Sequence, residues 1–391
     1  MKHPPYILPL IIFSQFCGTS LWFAGNGVMS DLVNTFGLSA DALAHLTSAV
    51  QFGFISGTLV FALLTIADRF SPSAVFGISA LIAAGANLAI TWEGHQLWSL
   101  LMLRFATGFF LAGIYPVGMK IAADYYQKGL GKSLGYLVGA LVLGTAFPHL
   151  LKSLGGDFPW KAVLWITTGL AVVGGLSLWL LVPDGPHRTA SKQLDLLAFF
   201  KVFQKRDFRA AAFGYFGHMW ELYAFWAFVP LMLETYAANH PAMASSISLL
   251  SFCIIALGGP ACVIGGYLSL RYGSKTIATI ALALSGLCCL CSPLFFQVDH
   301  PVLFLGFLLF WGMVVIADSP LFSTMVAQNA VKEIKGTALT IVNCIGFSIT
   351  IISIQFLNLL KTQIDNHYLF LLLALGPAVG LWVLSKEFAR T

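Results

Sequence analysis

Residues 104–124 read RFATGFFLAGIYPVGMKIAAD, an apolar run that opens on an arginine and closes on charge. Arg104, Gly108 and Ala112 recur every fourth residue, and in a helix steps of four keep roughly one face. The arginine therefore stands above a flat strip where another backbone can approach closely. Pro116 and Gly118 fall near the end of the run. A guanidinium does not shed its proton, so in hydrocarbon it must face a protein interior or a wet cavity, and its burial is costly without partners. Arg104 is thus a functional candidate.

The composition places this run in a membrane protein. Of 391 residues, 58% are hydrophobic and 9% charged, too little polar side-chain surface to cover soluble domains. Apolar runs long enough to cross about 30 Å of hydrocarbon occupy 6–28, 43–66, 74–92, 96–118, 131–152 and 161–182, then 208–236, 244–268, 275–297, 301–328, 336–360 and 367–385. The expected fold is all-α and integral to the membrane. It has a six-helix bundle at 1–182, a charged linker at 183–207 and a second six-helix bundle at 208–391. The start, MKHPPYILPLIIF, puts a basic residue before an apolar run as a signal peptide does, but the run continues without a small-residue cleavage site and reads as an uncleaved first helix. The 7 cysteines lie mostly inside apolar runs, and Cys288, Cys289 and Cys291 lack metal-ligand spacing. They read as small buried apolar residues, with no cofactor or metal expected.

Orientation follows from Lys and Arg. Of the 21, seventeen fall on one side of a twelve-span layout: Lys2, Arg69, Lys120, Lys128, Lys132, six from Arg188 to Arg209, Arg271, Lys275, Lys332, Lys335, Lys386 and Arg390. Lys152, Lys161 and Lys361 fall on the other side, and Arg104 within the membrane. The excess of positive charge puts both termini and the linker in the cytoplasm, with the plasma (inner) membrane as the expected location. The formal charge of +5 needs no nucleic-acid partner.

The halves echo each other at an offset near 200: Phe13, Phe16, Phe23 and Ala24 against Phe213, Phe216, Tyr223 and Ala224. Asp68 and Arg69 follow the second span; Gly266, Leu268, Arg271, Gly273 and Lys275 follow or close the eighth. With the six-plus-six layout and the strip from Arg104, these residues make the chain resemble the major facilitator superfamily, over essentially its whole length. The first copy of that family's loop pattern is degraded, with Leu64 at its glycine and Ser71, Pro72 and Ser73 at its end, and the second has Leu270 at its acid. The resemblance implies a cavity lined by spans one, four, seven and ten that opens alternately to each side, and gating roles for Asp68, Arg69, Gly266, Arg271 and Gly273. Arg104, Gly108 and Ala112 match a fourth-span motif associated in the family with proton coupling.

Deep in apolar runs the ionisable residues are Arg104, His218, Glu221 and Asp318. His218 and Glu221 are three apart and share a helix face, among Trp220, Tyr223 and Trp226. They form either a proton-accepting carboxylate in an aromatic-walled site or a structural pair tying span seven to a neighbour. Asp318 opens DSPLFSTM, where Ser319 and Ser323 are four apart and Pro320 removes a backbone donor. Freed carbonyls there would serve ligand or water; the competing reading is a kink with an Asp318–Arg104 ion pair. Trp22 and Asn26 share a face by spacing, and Gln15 joins them as a polar group of span one. His45 and His149 read as solvated or backbone-bonded near outer ends, Asn343 as interhelical glue, and Gly135 and Gly139 as a packing face.

Gly131, Lys132 and Ser133 imitate the end of a phosphate loop, but Tyr126 stands where its first glycine belongs and no strand precedes it, which argues against an ATP-driven pump. Pro148 lies too late for the fifth-span motif of the family's drug antiporters. No nucleophile–base or metal constellation points to an enzyme. The expected function is secondary active transport of a small anionic or zwitterionic solute by alternating access, coupled to protons, by a monomer in the lipid bilayer. Substrate would meet Arg104, Trp22, Asn26, His218, Tyr223, Ser319 and Ser323, and Glu221 and Asp318 would carry the proton. The alternative is proton-driven efflux of cationic or amphipathic drugs.

Overall fold

A computed structural model of the chain describes residues 4–39, 41–126, 130–154, 159–188, 203–330 and 335–388. Linker residues 189–202, and Lys2, Lys128, Lys332 and Arg390 of the charge count, lie outside them. The chain forms two compact units, Met1–Leu194 and Asp195–Thr391. Every regular element among the described residues is helical.

Ten helices among the described residues are long and apolar enough to cross a membrane. The two remaining apolar runs depart from that pattern differently. Span one is divided into Ile7–Thr19, Ala24–Gly27 and Met29–Phe36. Span seven is one helix, Arg206–Ala237, whose His218, Glu221 and tyrosines dilute its apolar character.

Lipid is as apolar as leucine, so these helices are held by close packing and interhelical polar contacts rather than by escape from water. Close packing is most evident where span four crosses span two, Ala42–Leu63. A β-carbon on Gly108 would fall 1.9 Å from the Val50 carbonyl oxygen, and one on Gly53 would fall 2.1 Å from that of Phe105. Backbones touch here, as the strip of small residues requires. The second unit repeats the contact: a β-carbon on Gly312 would fall 2.1 Å from the Ile254 carbonyl oxygen. Gly312 and Ile254 each stand 204 residues after their counterparts Gly108 and Val50. In the fifth span, Leu130–Ser153, Gly135 does not make the close approach expected of it. Nothing lies within 4 Å of a β-carbon built on Gly135, whereas Gly144 sits against Thr19 and the Phe16 carbonyl.

Spans four and ten are interrupted alike. Span four is Leu97–Leu111 and Tyr115–Tyr125; span ten is Pro301–Ala317 and Ser319–Asn329. In each, a proline sits in the first turn of the second piece, Pro116 or Pro320, where a missing N–H breaks no helical bond. At one end of the first unit, side chains from all six spans meet, including Val28, Leu46, Ile90, Leu100, Leu151 and Val163.

Candidate functional site

In the first unit the break in span one creates the setting for Arg104. The turn at 20–23 closes with tight backbone bonds, Leu21 N–H to Gly18 O and Trp22 N–H to Thr19 O, and turns the Leu21 and Trp22 carbonyls outward from the end of Ile7–Thr19, where carbonyls attract a cation. Arg104, 1% exposed, donates Nη1–H to Leu21 O at 3.1 Å and Nη2–H to Trp22 O. Its Nε has no hydrogen-bond partner among the described residues. Gly25 lies alongside, where a β-carbon would come into van der Waals contact with Arg104 Nε at 3.4 Å.

The break also separates Trp22 from Asn26, which do not share a continuous helix face as their spacing predicts. The Trp22 ring packs on Phe54 with centroids 4.8 Å apart. Asn26 donates Nδ2–H to Thr47 Oγ1 at 2.8 Å and ties span one to span two. Gln15 is buried, without a hydrogen-bond partner among the described residues, in the space left by Gly118. Of the two readings of His149, burial at 3% exposure removes the solvated one and leaves the backbone-bonded one.

In the second unit, Glu221 accepts three hydrogen bonds. Trp311 Nε1–H donates to Oε1 at 2.6 Å, Cys289 Sγ to Oε1 at 3.3 Å and Ser285 Oγ to Oε2 at 2.9 Å. Cys289 is thus a thiol donor rather than mere apolar filling. Asp318, fully enclosed, has its partner inside its own bundle: Oδ1 lies 2.8 Å from His218 Nδ1. That contact is an ion-pair approach rather than a well-aligned hydrogen bond; the backbone N–H groups of Asp318 and Ser319 also lie by the Asp318 carboxylate, whereas His218 Nε2 has no hydrogen-bond partner among the described residues. Asp318 precedes Ser319–Asn329, where the helix dipole favours negative charge. Tyr223 is packed on Trp226 and Phe347, with both centroid distances 5.2 Å. Ser319 and Ser323 are half-buried.

The loop residues behave unequally. Lys120 Nζ lies 2.8 Å from Asp68 Oδ1, and Arg188 donates to the Asp68 and Phe70 carbonyls at 2.9 and 2.7 Å while pairing with Asp184. Arg69 is exposed. In the eighth-span loop Gly273 has φ +84°, which glycine alone adopts readily, and it ends Gly258–Tyr272. Arg271 lies over the Tyr272 ring, and Gly266 has nothing within 4 Å of its β-carbon position.

Sequence reading missed Ser285, Cys289 and Trp311 as partners of Glu221. Only the buried carboxylate's need for donors signalled that such groups exist.

Two helical units with repeated small-residue crossings, broken fourth and tenth spans and ionisable groups deep in apolar helices define a transporter of the major facilitator kind. The Major Facilitator Superfamily pattern matches residues 11–354, and the chain belongs to that family. It is 31% identical over 158 residues to the niacin transporter NiaP of Acinetobacter baylyi, covering 34% of this chain and 35% of that protein. It is 26% identical over 194 residues to human protein spinster homolog 1, covering 44% and 33%. The match spans about a third of each of these relatives' length. Among solved structures, the D-xylose-proton symporter is similar with a TM-score of 0.76 at 14% identity, over 98% of this chain and 96% of that one. A bacterial homolog of the human lysosomal transporter Spinster, inward-facing and unoccupied, gives 0.68 at 14% identity, over 99% and 96%. These structural likenesses show the fold.

Proposed function

We propose that the chain moves a small anionic or zwitterionic organic solute across the plasma (inner) membrane by alternating access of bundles 1–182 and 208–391, coupled to protons. Both termini lie in the cytoplasm. The observation that carries the substrate charge is Arg104: a buried cation whose described partners are backbone carbonyls, with no carboxylate beside it among the described residues of its unit. Carbonyl dipoles hold a guanidinium in place but leave its net charge, and an anionic group entering the protein would offset it. Glu221, Asp318 and His218 supply titratable groups in the membrane interior. The relatives include a niacin transporter and a D-xylose-proton symporter, which supports a small polar solute and protons as partners.

Efflux of a cationic compound is the weaker reading. Glu221 is engaged by three donors and Tyr223 is packed between rings, so neither is an open acceptor or platform. The test is uptake into vesicles containing the purified protein, with and without an imposed pH gradient, over a panel of carboxylates, zwitterions and organic cations. Gradient-dependent accumulation restricted to carboxylates or zwitterions supports the proposal. Accumulation restricted to cations would reject it.

A further inference from the structure

The two buried carboxylates of the second unit have unequal surroundings, and the difference divides their labour. Around Glu221 every donor is accounted for. Trp311 has only an N–H to give, and Ser285 and Cys289 complete the shell, so both carboxylate oxygens are engaged and three helices are joined through them. A proton added to such a group competes with the donors that already engage both of its oxygens. Around Asp318 the set is incomplete: Asp318 Oδ1 and His218 Nδ1 of two fully buried side chains stand 2.8 Å apart without good alignment, and His218 Nε2 has no partner among the described residues.

Buried polar groups normally find partners, and exceptions call for a reason. We infer that His218 and Asp318 together form the group that takes up and releases the transported proton, while Glu221 is a positioning carboxylate that holds spans seven, nine and ten in register. This deepens the proton-coupled reading above and rests on it. One proton added to neutral imidazole and carboxylate gives imidazolium and carboxylate, or a neutral ring and a carboxylic acid. The 2.8 Å separation lets either arrangement be shared between the two side chains.

Other titratable groups do not displace this assignment. Tyr215 faces His218 from the same helix, with ring centroids 6.0 Å apart, and Glu221 lies one turn further on. From span eight, Cys262 donates Sγ to the Ile316 carbonyl, two residues before Asp318. The described lysines and arginines of this unit sit at helix ends or in loops, with Arg209 more than two turns from His218.

A lone buried imidazole or carboxyl stays in its neutral form, whereas the pair can hold one charge and its counter-charge together. The test is therefore a count of protons. Purified full-length protein in lipid vesicles without substrate is stepped from mildly alkaline to mildly acidic pH in weak buffer, and bound protons per molecule are measured for wild type and variants. Asp318→Asn and His218→Gln should each bind one proton fewer than wild type. The double variant should also bind one fewer rather than two, and Glu221→Gln should match wild type. If Asp318→Asn does not fold, His218→Gln carries the same expectation. Loss of the proton in Glu221→Gln with retention in Asp318→Asn would overturn the assignment while leaving proton coupling intact. Wild-type proton binding by every variant would overturn both.

Discussion

The two units share their packing but not their charge. Gly108 meets the Val50 carbonyl in one and Gly312 meets the Ile254 carbonyl in the other, at a constant offset of 204 residues, and Pro116 and Pro320 keep the same offset. At that offset Leu308 answers Arg104 and Ile114 answers Asp318. A repeat retained for backbone contact has therefore been given different electrostatics in each half. The first unit holds one fixed cation on backbone carbonyls. The second holds a carboxylate bound by three donors and, beside it, a His–Asp pair with unfilled bonding positions.

If packing is what the halves share, breaking it should do the greatest damage, and do it in both. Gly108→Leu and Gly312→Leu each force a side chain into a carbonyl that cannot yield, at a cost of about 3 kcal/mol or more. Each should abolish folded protein by size-exclusion profile and thermal unfolding. Gly266→Ala, at a family-pattern glycine with open space, should keep or slightly raise stability. A tolerated Gly108→Leu would remove the close crossing from the account.

The second effect separates the units. Arg104→Lys keeps the charge but loses the fork that reaches two carbonyls, so folding should survive with a loss of about 2 kcal/mol. Uptake of the compound identified by the vesicle screen should fall about tenfold or more, a barrier change of ~1.4 kcal/mol. Wild-type uptake in a well-expressed variant would reject a specific guanidinium role. Third, Trp311→Phe removes a donor to Glu221 and should lower thermal stability by about 2 kcal/mol, with the proton count unchanged.

The smallest effect lies at the exposed end of span seven. His240 stacks on Tyr236 at 4.2 Å, and its Nε2 is 2.8 Å from Asp299 Oδ1. The hydrogen bond to Asp299 holds the His240 imidazolium above the ordinary histidine range. A raised pKa in the folded state means the pair's contribution is fully present below the unfolded histidine's pKa and is lost as pH rises through the folded value. Asp299→Asn should flatten that part of the stability–pH curve, measured by thermal unfolding across neutral pH. An unchanged curve would remove His240 from the account.

Much of the fold is legible in the sequence because hydrocarbon imposes run length, and a close crossing on span four is legible because only small residues four apart let backbones touch, although that pattern does not name span two as the partner. The break in span one is not. Residues Thr19 to Ala24 include neither proline nor glycine, and Arg104, some eighty positions away, binds the carbonyls that the turn exposes. Periodicity therefore put Trp22 and Asn26 on one face that does not exist. Glu221 was legible as an ionisable residue in an apolar run, but its donors come from 64 to 90 residues further along, a separation no local pattern encodes. The pairing of Asp318 with His218 depends equally on how spans seven and ten pack.

The most direct test of a fixed cation in one unit and an exchangeable pair in the other is side-chain ¹⁵N magnetic resonance of histidine-labelled protein in lipid, with the His218 signal assigned through His218→Gln. The ring should change protonation or hydrogen-bonding state across mildly acidic to mildly alkaline pH in wild type and in Arg104→Lys, and stay neutral throughout in Asp318→Asn. A His218 ring that keeps one state in wild type over that range, or that titrates undisturbed in Asp318→Asn, would contradict the account.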